Sequence, residues 1–246
     1  MMEDTIEKVF NCKQFKVLQS KSTMKVNTDA ILLGAWIGLD FTNKVLDIGT
    51  GTGIIALMIA QRTKENVAII GVEIDEDSAN EASVNFELSQ WSSKLECKNQ
   101  SIQDFSQMSQ EKYDLIVSNP PFFTGGTFSD NENKNNVKHA VKLSHGDLLI
   151  VSNRLLSIDG RLSVVLPFIE GERFIDRAKR MGFTPSRITE VRTKVNQPIA
   201  RLLIELVKNN KQLIPDRDQL ILLEEGKERN YTTAYMKLTA DFYTIF

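Results

Sequence analysis

The chain has 246 residues, 41% hydrophobic and 25% charged, with a formal net charge of −2. That length suits one α/β unit with a substantial core and is short for two, and the near-neutral charge means that any nucleic-acid binding must come from local patches. No apolar run reaches the roughly 18 residues needed to span a membrane, the acidic, polar start is no signal peptide, and Cys12 and Cys97 are too isolated for a disulfide framework or a metal site. The expectation is a cytoplasmic protein without a metal and without membrane contact. From the N-terminus, Lys8, Lys13, Lys16, Lys21 and Lys25 occur with no acid among them, and Phe10, Phe15 and Val17 are interleaved. Basic residues with aromatics hold phosphates and stack bases, which makes Lys13, Lys16, Lys21 and Lys25 candidate substrate contacts. The same composition also describes a solvated edge hairpin whose lysines discourage aggregation, and both readings stand. Thr28-Asp29 ahead of the apolar Ala30–Trp36 predicts an N-capped helix, whose N-terminus would lie beside whatever cleft the next strand opens. Residues 1–43 thus read as a basic extension leading into the core of a single domain, 1–246.

The next stretch organises the chain. Val45-Leu46-Asp47-Ile48 runs into Gly49, Gly51 and Gly53 at alternate positions, and a new apolar run begins at Ile54. That predicts a buried parallel strand, a tight turn and a helix over residues 53–62. The spacing G-x-G-x-G differs from the G-x-G-x-x-G of dinucleotide sites, and Asp47 at the strand end would repel a pyrophosphate but suit an ammonium group. S-adenosylmethionine carries an ammonium and no phosphate, and the turn resembles the first motif of the class I methyltransferases. The following strand, Val67 to Asp75, brings Glu73 to where an acid accepts both ribose hydroxyls, about 20 residues past the turn, with Asp75 as N-cap of a helix over 77–88. A short strand, Lys94 to Lys98, leads to Asp104, a candidate acceptor for the cofactor's adenine amino group, with Ile102 or Phe105 against the ring.

The fourth strand, Tyr113 to Ser118, delivers Asn119-Pro120-Pro121-Phe122. Two prolines stop the strand and stiffen the loop beyond it. An amine on an aromatic ring or an amide is a poor nucleophile because its lone pair is delocalised. The Asn119 side-chain oxygen and the Pro120 carbonyl can accept its two hydrogens, and Phe122 offers a face for a planar group. Asn119, Pro120 and Phe122 are therefore the catalytic candidates, with Asn119 also beside the cofactor, and positioning with electrostatics carries the chemistry. Residues 124–138 read as a long loop, in which Lys134, Lys138, His139 and Lys142 could meet phosphates. A helix from Ser144 to Leu156, a strand over 161–166, a helix over 170–181 and a strand pair, Ile188 to Lys194 and Ala200 to Lys208, complete the plan. Eight basic residues fall between 172 and 201: Arg173, Arg177, Lys179, Arg180, Arg187, Arg192, Lys194 and Arg201.

Asp47 to Gly53, Glu73 and Asn119-Pro120-Pro121-Phe122 resemble the amino-group methyltransferases of the Rossmann-like class I superfamily. More narrowly, Phe15 to Gln19, Met24 to Trp36 and the closing Tyr231 to Phe246 are similar to the bacterial valine-tRNA adenine-N(6) methyltransferases, with Cys12 where an aromatic is expected. The resemblance implies a mostly parallel seven-stranded sheet with an antiparallel last strand and helices on both faces, S-adenosylmethionine as cofactor, and tRNA as substrate, methylated on the adenine beside the anticodon. The sequence leaves the oligomeric state open, with a monomer as the expectation. Three rivals share parts of this pattern. A ribosomal RNA guanine methyltransferase commonly carries a duplicated domain, a release-factor glutamine methyltransferase needs an N-terminal helical domain, and a non-catalytic scaffold would not need Asn119 and Glu73.

Overall fold

The computed structural model describes residues 8–120, 143–208, 213–226 and 230–245. The short strands β1 (Val9–Asn11) and β2 (Lys16–Leu18) pair as an antiparallel hairpin. Helix α1 (Thr28–Trp36) precedes β3 (Lys44–Ile48), after which helix and strand alternate: α2 (Ile54–Arg62), β4 (Ala68–Glu73), α3 (Glu76–Glu87), β5 (Leu95–Asn99), α4 (Ile102–Met108) and β6 (Tyr113–Ser118). Then come α5 (His145–Leu155), β7 (Leu156–Pro167), α6 (Phe168–Arg180), β8 (Thr184–Arg192), β9 (Arg201–Val207), β10 (Asp216–Ile221) and α7 (Thr233–Thr239).

The main sheet runs β10-β8-β9-β7-β6-β3-β4-β5. Strand β9 is antiparallel to both of its neighbours, and the other pairs are parallel. Because successive side chains of a strand face opposite ways, β6 sends Leu115 and Val117 into one core, with α1, α2 and Tyr235 of α7, and Ile116 into the other, with α4, α5 and α6. The expected seven strands are corrected to eight. Strand β10 reads Asp-Arg-Asp-Gln-Leu-Ile and buries only Leu220, so no alternation marks it. Main-chain pairing to β8 holds it, and its charges suit an exposed sheet edge.

Helix α1 belongs to the core rather than leading into it: every residue from Ala30 to Trp36 is buried. Its N-cap is Asn27, whose side chain accepts from the Ala30 N–H at 2.9 Å, which leaves Asp29 to pair with Arg201 at 2.8 Å. Arg62 closes the other end, donating to the Gly34 and Ile37 carbonyls at 2.7 and 2.8 Å. The aromatics of the N-terminal arm are likewise structural. Phe15 and Val17 are buried, Phe15 stands edge-on to Trp91 at 5.8 Å, and Phe10 packs against Tyr243 at 6.3 Å. These rings fill the core, and the base-stacking role expected of them does not hold.

One carboxylate fastens the arm to α3. Glu81, 6% exposed, accepts from the N–H groups of Ser20, Lys21 and Ser22 at 2.7, 2.9 and 2.8 Å and from the Ser22 hydroxyl at 2.5 Å. Burial alone would raise its pKa, but these hydrogen bonds outweigh burial and hold it below the usual carboxylate range. A depressed carboxylate contributes stability above its unfolded value, about 4.3, and loses it as pH falls through the folded value. Glu81→Gln is therefore expected to cost about 1–3 kcal/mol at neutral pH, with the gap to the parent closing as urea melts are taken below pH ~4. Equal stability of the two proteins at neutral pH would show that Glu81 does not hold the arm.

Candidate active site

The strand order reverses between β3 and β6: β4 and β5 lie to one side of this pair, β7 to the other. In open parallel sheets, ligands bind outside the carboxyl ends of the strands at such a reversal. A cavity of about 240 Å³ opens there, lined by Gly49 and Gly51 after β3, Glu73 at the end of β4, and Ser118, Asn119 and Pro120 at the end of β6. Ile48, Val72, Ile74 and Ile102 make it largely apolar, and Thr23 and Met24 from the segment before α1 complete the lining with Leu143, Gln100 and Gln103.

The three glycines divide their work. All have positive φ, +70° at Gly49, +55° at Gly51 and +81° at Gly53, a region that costs other residues about 1–2 kcal/mol. A Cβ on Gly49 or Gly51 would meet nothing within 4 Å, so at these two cavity-lining positions hydrogen leaves the space to a ligand. At Gly53 it would come within 2.4 Å of the Phe86 ring. Gly53 does not line the cavity, and its smallness lets α2 approach α3. The turn is fixed from β4: the Gly49 and Thr50 N–H groups donate to the Val72 carbonyl at 2.8 and 3.2 Å, and the Gly51 N–H to Glu73 Oε2 at 3.0 Å. Glu73 Oε1 takes the Asp75 N–H at 3.0 Å. A carboxylate has about four lone-pair sites, so Glu73 keeps capacity for a pair of hydroxyls.

Asp47 lies deeper than expected. It is 1% exposed and does not line the cavity. Its Oδ2 accepts from Thr50 Oγ1 at 2.6 Å, while Oδ1 has no partner among the described residues. Burial pushes its pKa up to about 7. It lies beneath the turn rather than on the cavity wall. Asp104 does not reach the cavity either. It is exposed in the first turn of α4, where its N–H donates at 3.0 Å to Oγ of the N-cap Ser101 and its carboxylate accepts from the same hydroxyl at 2.7 Å. Ile102 and Gln103 line the cavity from that helix, and Gln103 Nε2 is buried without a partner among the described residues. A search for acids overlooks such a neutral amide.

Asn119 stands where the sequence places it. The Ser118 hydroxyl donates to the Ile48 carbonyl at 2.8 Å and locks the ends of β6 and β3 together. Asn119, 9% exposed, presents an Oδ1 that accepts no hydrogen bond from a described residue. Phe122 and Lys138, with Lys134, His139 and Lys142, lie outside the described residues. Of the arm lysines, Lys13, Lys16 and Lys21 are exposed, whereas Lys25 donates to the Ser20 and Ser22 carbonyls at 3.2 and 2.8 Å and braces the turn that Glu81 holds.

Comparison with known proteins defines the class first. The methyltransferase small domain matches residues 21–170, more than half of the chain. Among solved structures the fold matches a protein of Agrobacterium tumefaciens described as a predicted O-methyltransferase, with a TM-score of 0.66 at 17% identity over 87% of this chain and 96% of that one. It also matches a methyltransferase from Pyrococcus furiosus, with a TM-score of 0.54 at 18% identity over 76% and 89%. The chain is a class I methyltransferase, and S-adenosylmethionine is its cofactor. Within that class, it is 40% identical to the tRNA1(Val) (adenine(37)-N6)-methyltransferase of Trichodesmium erythraeum over 95% of this chain and 97% of the relative. It is 38% identical to that of Photobacterium profundum over 96% and 98%. The chain belongs to this family.

The cavity suits that cofactor. Among the described residues no lysine or arginine lines it, although a phosphate ligand would call for one. Glu73 offers acceptors, the glycine turn gives close access, and the apolar walls suit an adenine ring and a thioether-like chain. Binding a cation above Asp47 favours its ionised form. With Asp47 titrating near 7 in the free protein, cofactor affinity is expected to level off above that pH and to fall by up to about tenfold per unit below it. Calorimetry across a pH series checks this. Asp47→Asn should flatten the profile, and a parent profile that is already flat would separate Asp47 from the ligand's charge.

Proposed function

We propose that this chain transfers a methyl group from S-adenosylmethionine to the N6 amine of an adenine in tRNA, the adenine at position 37 of valine tRNA named for its relatives, and works as a cytoplasmic monomer. One observation carries the chemistry: the buried Oδ1 of Asn119, without a partner among the described residues, beside the cofactor crevice. An unsatisfied buried acceptor costs about 1–3 kcal/mol. A substrate N–H is the group that would satisfy it.

The cofactor supplies an electrophilic methyl on a sulfonium centre, so no covalent enzyme intermediate is required. Asn119 Oδ1 and the Pro120 carbonyl accept the two amine hydrogens, which favours a pyramidal nitrogen with its lone pair free. Ser118 fixes their position through Ile48, and the rigid X-Pro link limits their drift. A base at this depth must leave its stack, which costs a few kcal/mol, and the face of Phe122 would recover part of this by stacking. The Asn-Pro-Pro-Phe tetrapeptide alone would serve guanine or protein glutamine equally. Identity with the adenine-N6 relatives over nearly the whole chain favours adenine.

Asn119→Ala is expected to leave cofactor and tRNA binding nearly intact while kcat drops about 10²–10³-fold, because the lost contact acts mainly in the transition state. Single-turnover transfer of labelled methyl groups to unmodified tRNA, with ribosomal RNA and release factor in parallel, reads both rate and substrate class. Transfer at the parent rate would return Asn119 to a structural role.

A further inference from the structure

The six arginines of the basic run between residues 172 and 201 separate into two groups of three. Arg187 lies 3.9 Å over the Trp36 ring, Arg192 donates to the Gln197 carbonyl at 2.7 Å, and Arg201 pairs with Asp29 at 2.8 Å. These three hold the fold together. Arg173, Arg177 and Arg180 are different. They are exposed and form no hydrogen bond or ion pair with a described residue, although Glu170, Glu172 and Asp176 share their helix. Spaced i, i+4 and i+7, they make one stripe along α6.

This stripe borders a second cavity of about 370 Å³, lined by Arg173, Arg177, Arg180, His145, Phe174 and Asp176. The Arg177 guanidinium sits 3.1 Å from where a Cβ on Gly146 would stand, so it is lodged against the first turn of α5. That is the wrong sign for the position. A helix N-terminus carries positive partial charge, and like charges at i, i+4 repel by a few tenths of a kcal/mol. Asp147 answers only part of this, being occupied in the capping box with Ser144. His145 adds an Nε2 that is buried and has no partner among the described residues, its ring edge-on to Phe174 at 5.5 Å. Three arginines without a partner among the described residues, a positive helix end and a free polar ring atom converge on a hollow whose one lining carboxylate is Asp176, and an anion with further hydrogen-bonding groups would satisfy them together.

The hollow adjoins the active site. Leu143 lines the cofactor cavity beside Asn119, and His145, two residues later, lines the arginine cavity. Two residues span at most about 7 Å. A strand whose base enters at Asn119 would thus have the arginine cavity as a neighbour for its flanking backbone.

We propose that Arg173, Arg177 and Arg180, with the start of α5, form a backbone-binding site for the RNA substrate that holds phosphates flanking the methylated nucleotide. This rests on the proposed activity toward tRNA. Phosphate contacts of this type position a nucleic acid without reading its sequence.

The test compares the full-length parent with Arg173→Ala/Arg177→Ala and Arg173→Lys/Arg177→Lys. Affinity for an unmodified tRNA transcript is read by fluorescence anisotropy over a sodium chloride series, cofactor affinity by calorimetry, and methyl transfer by steady-state kinetics. The alanine pair should bind tRNA about tenfold or more weakly at low salt, with a log–log salt slope reduced by about 2, since each lost phosphate contact removes about 0.9. The tRNA KM should rise while kcat and cofactor affinity hold, and the lysine pair should keep most of the slope. If the parent methylates tRNA but the alanine pair keeps its affinity and slope, the arginine site is refuted and the tRNA reading stands. If the slope is kept but the cofactor affinity or melting temperature falls, the arginines are structural and the proposal is likewise refuted. A parent that transfers nothing to tRNA overturns both readings.

Discussion

The active site depends on how closely the glycine turn can lie against the neighbouring strand. Asp47 and Gly71 are register partners in β3 and β4, and a Cβ on Gly71 would fall 2.9 Å from the Thr50 side chain. Because Gly71 has none, Thr50 packs down into the sheet and its hydroxyl reaches Asp47. The same approach lets the Gly49 and Thr50 N–H groups reach the Val72 carbonyl and the Gly51 N–H reach Glu73. The acid on the cavity wall thus also shapes the loop beside it. A glycine within a strand often marks close approach of backbone or ligand, and here one methyl group's worth of space decides whether the turn can form.

From that turn outward, the site is assembled by strand ends. Residues 48, 73 and 118 end three adjacent parallel strands, and the paired acceptors of Asn119 and Pro120 come directly after the last of them. Main-chain ladders fix these positions, as the proposed chemistry, which relies on orientation rather than on a reactive side chain, requires. The N-terminal arm belongs to this assembly too, because the turn that Glu81 pins leads straight into Thr23 and Met24 on the cavity wall.

Much of this was legible in the sequence, for identifiable reasons. The G-x-G-x-G turn, Glu73 and Asn119-Pro120 announce themselves because positive φ, a strand-end acid and a proline stop each restrict residue choice. The helix start at Ser144 was likewise legible, and the structure shows a capping box there with Asp147. What escaped was set by tertiary context. Strand β10 has hardly a buried face to pattern, and its charges read as loop. The depth of Asp47 depends on Gly71, which lies 24 residues on and attracts no notice in a strand. Asp104 resembles a ligand in sequence because an acid at a helix start serves a cap and an adenine equally well, and only its exposure separates the two. The N-terminal aromatics invite a nucleic-acid reading because composition cannot tell a ring facing solvent from one facing Trp91.

The anchoring of the arm gives the enzyme a property of its own. Thr23 and Met24 line the cavity, and their segment is held to α3 by Glu81 at residues 20–22 and by Ser78, whose Oγ accepts from the Thr23 N–H at 3.2 Å, with no continuous secondary structure between α1 and the hairpin. A cofactor resting on Thr23 and Met24 would share one task with Glu81, keeping a single segment in place, and the two would be thermodynamically coupled without touching. Whatever fraction of molecules has the arm detached is withdrawn from binding, so the measured affinity is the intrinsic one scaled by the docked fraction. Bound cofactor in turn makes detachment rarer. The arm is then a gauge of occupancy that a protease can read, its susceptibility to cleavage around residues 19–25 declining as the crevice fills.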